Sequence, residues 1–206
     1  MHSSRSSSGC SQRDAGALVA AEGRRLLLHA CCAPDATVPW LDLRAEGYEV
    51  LPYWYGGNIH PSEEEARRRE ALSILAARMG GRIVIDSCEA SCWLEETSHL
   101  ADEPEGGRRC ALCFRLQLEG AARAALREGA GVLCTTLTIS PHKDADLINR
   151  IGAECAAEHG LEWLVRVFRK RDGFLRSVAL SREYGLYRQG YCGCVYSMAG
   201  GAGRWV

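Results

Sequence analysis

The chain has 206 residues, 47% of them hydrophobic and 25% charged, with a formal net charge of −1. That length suits one well-packed domain rather than two. The near-neutral charge excludes a generally basic nucleic-acid binder, and no run approaches the roughly 18 consecutive apolar residues of a membrane span. Residues 1–9 are serine-rich without the apolar core of a signal peptide. Residues 1–22 are therefore expected to be a disordered tail, 23–206 a single α/β domain, and the protein cytoplasmic.

Short apolar runs then alternate with helical patterns. Residues 25–30 (RLLLHA) and 48–55 (YEVLPYWY) read as strands. A helix is expected over 62–79, with Ser62 and Glu65 as a capping box and Pro61 barring an earlier start. Residues 82–86 (RIVID) form a third strand. A second helix starts near Cys110 and runs through Leu116, Ala122 and Leu126 to Gly129. Residues 132–137 (VLCTTL) make a fourth strand, a helix carries Leu147, Ile148, Ile151 and Cys155, and residues 162–168 (EWLVRVF) make a fifth strand. Such alternation implies a Rossmann-like parallel sheet with helices on both faces. Its functional crevice lies at the carboxyl ends of the strands. Cys31-Cys32, Asn58-Ile59-His60 and Ser140-Pro141-His142-Lys143-Asp144 follow three of those ends and should share one rim.

Eleven cysteines stand out in a chain expected to be intracellular, where thiols more often bind metal or do redox work than staple a fold. Cys31-Cys32 are adjacent, Cys110 and Cys113 form a CxxC, and Cys192 and Cys194 form a CxC. Cys134 sits in a strand-like run and Cys155 on a helical apolar stripe, as small core residues. Cys88 and Cys92 could pair across a helix turn.

Cys110 and Cys113, at i and i+3, share one side of a helix's first turn, where the helix N-terminus favours thiolate. With Cys31 and Cys32 they give four thiolates in two pairs, a set for tetrahedral zinc or a [4Fe–4S] cluster. Consecutive side chains diverge and chelate one zinc poorly, whereas neighbouring sulfurs can bind different irons of a cluster, so the placement favours iron–sulfur. Cys192-Gly193-Cys194 can close a small strained disulfide, which would be redox-labile. The alternative is a second metal half-site, completed by Asp35 as a hard oxygen ligand.

Charge is uneven along the chain. Residues 86–105 carry seven acids and no Lys or Arg, and 166–188 carry seven bases against Asp172 and Glu183. Within the second stretch Arg169, Lys170, Arg171 and Arg176 are the expected contacts to nucleic-acid phosphates. The alternative there is a solvated helix face.

In fixed order, LLLHACCAPD, GGNIHPSEEE, DEPEGGRRCALCF, TTLTISPHKDADLINRIG and RKRDGFLRSVALSREYGLYRQGYCGCVYS resemble the cobalamin-independent epoxyqueuosine reductases, over about residues 26–197. The resemblance implies an adenine-nucleotide α-hydrolase-like, Rossmann-related α/β fold. It also implies the last step of queuosine synthesis, in which the epoxide of epoxyqueuosine in tRNA is reduced to an alkene with loss of water. Cys31, Cys32, Cys110 and Cys113 align with the family's [4Fe–4S] ligands, and Cys192 and Cys194 with its proposed redox pair. The implied partners are a tRNA carrying epoxyqueuosine and an electron donor. Many members read CCAPC where this chain has Asp35, which cannot join a disulfide but can bind a hard metal or supply a proton. A second, mononuclear iron at Asp35, Cys192 and Cys194 is thus one expectation. For the leaving oxygen, Asp35, His142, Asp144 and Tyr191 are the candidate proton donors, although His142 could instead cap a helix beginning at Lys143.

Two other functions set the contrast. A cluster-dependent tRNA thiolase of related fold needs an SGGxDS-type ATP loop after the first strand, where this chain reads HACCAPD. A zinc-stabilised RNA-binding module without catalysis would bind metal but be colourless.

Overall fold

The computed structural model describes residues 23–86 and 89–199. The expected tail over 1–22, with Cys10, and also Cys88, lie outside the described residues. β1 (Arg25–His29), β2 (Glu49–Trp54), β3 (Val84–Ile85), β4 (Val132–Thr135) and β5 (Glu162–Trp163) form one sheet in the order β3-β2-β1-β4-β5. Every pairing is parallel. The connecting helices are α1 (Ala33–Ala45), α2 (Ser62–Arg78), α3 (Ala90–Thr97), α4 (Arg108–Arg127), α5 (Ala145–Glu158), α6 (Gly173–Glu183) and α7 (Val195–Ala199).

The three leucines of β1 explain the layering. Leu26 and Leu28 pack with α1, α2 and Leu180 of α6, while Leu27 packs with α3, α4 and Ala156 of α5. Alternate residues of a strand face opposite sides, so a strand apolar on both sides must be covered on both. Helices on both faces follow, as expected. The strand order reverses between β1 and β4, which puts the crevice of this fold beyond His29 and Thr135. Among the described residues no helix is long and apolar enough to cross a membrane.

Several local expectations are corrected. Helix α1 carried no periodic signal because it is buried continuously from Ala33 to Trp40 and so has no polar face to alternate with. The capping box is absent: Pro61 takes the N-cap position, which places Ser62 inside the first turn. Glu65 accepts from Trp54 Nε1 at 2.8 Å instead. β3, β4 and β5 are shorter than expected. β4 turns into a 3-10 segment (Leu137–Ile139), and after the Leu164 N–H to Leu133 carbonyl bond the chain beyond β5 has no ladder to extend. Helix α5 begins at Ala145, not Lys143, and its cap is Asp144, whose Oδ1 accepts the N–H groups of Asp146 and Leu147 at 2.9 and 3.0 Å. Cys134 and Cys155 are core residues, as expected.

Candidate metal centre

The end of β1 delivers Cys31 and Cys32 to the crevice, and α1 starts at once. Cys32 is the N-cap of α1: its Sγ accepts the Asp35 N–H at 3.5 Å, and its side chain is buried. Cys31 stays half-buried, with Sγ 3.3 Å from Asp35 Oδ2 and 3.4 Å from Thr136 Oγ1 on the neighbouring strand end. Across the crevice, the first turns of α4 present Cys110 and Cys113. The Gly106 N–H donates to Cys110 Sγ at 3.2 Å, and Gln117 Nε2 donates to Cys113 Sγ at 3.1 Å. Cys31, Cys110 and Cys113 line one cleft with Cys192 and Cys194.

The CxC pair reaches the cleft on a segment of coil, and α2 holds it there. Arg68, fully buried and ion-paired to Glu64 at 2.7 Å, donates to the carbonyls of Cys192 at 2.9 Å and Tyr191 at 3.1 Å. The His60 N–H donates to the Gly193 carbonyl at 2.8 Å, and the Tyr191 hydroxyl donates to the His60 carbonyl. Gly193 has φ +129°, and a Cβ there would lie 2.9 Å from Arg68 Nη1, so this turn requires glycine. Both cysteines are free thiols.

Among the described residues, the group of three or more donor atoms lying within 4.8 Å of one another is Cys31, Cys32 and Asp35. This trio differs from the Asp35, Cys192 and Cys194 set expected from sequence, because the first turn of α1 brings Asp35 back over its own preceding cysteines. The CxxC pair falls outside single-ion reach of Cys31 and Cys32. Two thiol pairs facing one cleft, too far apart to share one ion, fit a polynuclear cluster better than a tetrahedral zinc.

Burial dominates the electrostatics. It raises the pKa of Cys32, with Cys31 and Asp35 adding to it, and raises Cys113, with Cys192 adding to it. Burial also raises Cys110 against the Gly106 N–H, and pushes Cys192 up to about 11 despite Lys143. The thiolate-favouring effect expected of the α4 N-terminus is thus outweighed in the metal-free chain, and metal binding must displace protons. Burial likewise lowers the fully buried His29 to about 3 and keeps it neutral.

The other expected residues separate into groups. His142 and Asp144 line the cleft, both exposed, and Asp144 also caps α5. Tyr191 lines it too, with its hydroxyl engaged by His60. Of the four bases assigned to RNA, Arg169 donates to the Ser140 and Lys143 carbonyls at 3.3 and 3.0 Å, and Arg176 forks onto Asp42 at 2.8 and 3.2 Å. Arg169 is therefore tied to the loop before α5, while Arg176 remains exposed in a surface ion pair. Lys170 and Arg171 are exposed. Cys92 is exposed on α3.

Sequence reasoning passed over Lys143, Gln117, Gln189 and Arg68. Lys143 lines the cleft; burial works against its charge, but Cys192, Cys31, Asp35 and Cys32 more than offset this and raise its pKa. A signal existed: the chain has two lysines among its 25 Lys and Arg residues, so a lysine here is a departure from habit. Gln189 Nε2 donates to Cys32 Sγ at 3.0 Å from 157 residues away, which no local pattern reveals.

Residues 26–200 match the sequence profile of the family described as epoxyqueuosine reductase QueH. The epoxyqueuosine reductase QueH of Streptococcus pyogenes serotype M1 is 34% identical over 178 residues, covering 84% of this chain and 69% of the relative. That of Thermotoga maritima is 33% identical over 176 residues, covering 84% and 90%. That of Dehalococcoides mccartyi is 35% identical over 175 residues, covering 84% and 92%. Among solved structures, the U34-tRNA thiolase NcsA of Methanococcus maripaludis with its [4Fe-4S] cluster aligns with a TM-score of 0.53 at 11% identity. That alignment covers 86% of this chain and 63% of the thiolase, and it establishes the fold alone. On the strength of the profile and these relatives, the chain belongs to the epoxyqueuosine reductase family.

Proposed function

We propose that the chain acts as its family name states, reducing epoxyqueuosine in tRNA to queuosine, and that the cleft between β1 and α4 is where it does so. The observation that carries this is the meeting of Cys31 from the end of β1, Cys110 and Cys113 from the start of α4 and Cys192 and Cys194 from the C-terminal coil on one cleft, with Cys32 buried next to Cys31. Removing the epoxide oxygen to leave an alkene takes two electrons and two protons and releases water.

Cys31, Cys32, Cys110 and Cys113 are the proposed holders of a [4Fe–4S] cluster, with Asp35 as the oxygen ligand of a second, mononuclear iron. Bound there, these groups would supply electrons singly and Lewis acidity toward the epoxide oxygen. Cys192 and Cys194 could hold the two electrons together as a dithiol that closes to a disulfide, or bind that second iron. Lys143 keeps a positive charge beside the thiols. His142 stands in the cleft as a proton donor, a role Asp35 takes instead if it holds no iron. Lys170 and Arg171 are the bases we assign to tRNA phosphates. We place the reaction in the cytoplasm, with a separate protein or small molecule as electron donor. A thiolase-type function lacks support at the end of β1, where Cys31-Cys32 occupy the position of an ATP loop.

The test is anaerobic reconstitution with iron and sulfide, then incubation with epoxyqueuosine-containing tRNA and a chemical reductant. Conversion to queuosine, read by mass spectrometry of the nucleosides, is expected. A brown, four-iron protein that leaves the epoxide intact would refute the assignment.

A further inference from the structure

Each ligand pair of the proposed cluster site carries one glutamine amide aimed at a sulfur. Resting on that reading of the site, we propose that Gln117 and Gln189 are positioning residues that set the reduction potential of the iron–sulfur centre through N–H···S hydrogen bonds to Cys113 and Cys32.

Gln117 lies one helical turn after Cys113 and is buried. Its Nε2 stands 3.1 Å from Cys113 Sγ and 3.0 Å from the Cys113 carbonyl. Within α4 that carbonyl already has the backbone N–H of residue 117 as its partner, so the amide is not there to satisfy it. The sulfur is the group that gains. Gln189 comes from the coil after α6 and places Nε2 3.0 Å from Cys32 Sγ while its Oε1 is buried without a partner. Burying an amide with its oxygen orphaned is costly, and a glutamine serving only to fill space would be replaced without loss by an apolar side chain. Both amides therefore make sense as donors to sulfur.

An N–H dipole pointed at a sulfur favours negative charge on it. Adding an electron to a thiolate-ligated cluster increases that charge, so the donors stabilise the reduced state and raise the potential. One hydrogen bond of ordinary net strength changes an equilibrium constant about fivefold, which for a one-electron couple is about 40 mV.

The experiment is a spectroelectrochemical titration of the reconstituted full chain, with iron and sulfide assayed on the same samples. Gln117→Met and Gln189→Met should keep their iron and sulfide, and each should shift the midpoint negative, with the reduced-to-oxidised ratio at fixed potential falling about fivefold. Gln117→Glu should shift it further, since a carboxylate opposes the reduced state. Unchanged potentials at full cluster content overturn the proposal, as does loss of the cluster in both methionine variants, which would make the glutamines structural. Absence of any iron–sulfur chromophore in the unsubstituted chain would instead refute the proposed site.

Discussion

The two sides of the cleft are built in different ways. Cys31, Cys32, Cys110 and Cys113 sit at a strand end and on a helix start, so the same backbone hydrogen bonds that make the sheet and α4 also fix their sulfurs. Cys192 and Cys194 sit on coil that owes its position to a few tethers, chiefly Arg68 with Glu64 behind it and the His60 to Gly193 bond. A pair fixed by secondary structure suits a permanent ligand set. One fixed by removable tethers suits a group that must change state or move during turnover.

That contrast can be broken at the strap first. Cys192→Ser or Cys194→Ser should abolish conversion of epoxyqueuosine while leaving the cluster chromophore of the floor intact. Loss of the chromophore along with turnover would make one of them a cluster ligand. Next in size is Arg68→Met. It leaves Glu64 buried without its partner, for which about 3–5 kcal/mol of stability is expected to be lost, measured by denaturant unfolding. Tyr187→Phe, which removes the hydroxyl donated to Glu64 at 2.7 Å, should cost only about 1 kcal/mol. A stable Arg68→Met protein would mean that the strap is held by something else. The smallest effects belong to the basic stretch, where Lys170→Ser and Arg171→Ser should each lower the salt dependence of tRNA binding by about 0.7–0.9 in log–log slope without altering stability. Arg169→Ala should instead lower stability, because Arg169 ties the Ser140 and Lys143 carbonyls together. The same outcome in all three variants would erase the distinction between scaffold and surface bases.

Much of this was legible in the sequence, for identifiable reasons. Leucines 26–28 and the alternation of strand and helix patterns announced a doubly covered parallel sheet, and cysteine spacing marked the segments that gather around the cleft. What escaped notice was non-local or uniformly buried. Helix α1 has no amphipathic stripe because no side of its first half meets water. Arg68 and Gln189 act on residues 124 and 157 positions away, and no spacing rule spans such intervals. The bases of 166–188 looked alike in sequence, yet the Ser140 and Lys143 carbonyls claim Arg169, and Asp42 claims Arg176 where α6 meets α1.

The central claim is that Cys31, Cys32, Cys110 and Cys113 together hold one [4Fe–4S] cluster. Iron, acid-labile sulfide and the Mössbauer spectrum should be compared after anaerobic reconstitution of the unsubstituted chain, Cys110→Ala, Cys113→Ala and the core variant Cys134→Ala. The account predicts a four-iron cluster spectrum in the unsubstituted chain and in Cys134→Ala, and its loss in Cys110→Ala and Cys113→Ala. Equal iron and sulfide in all four proteins would contradict it.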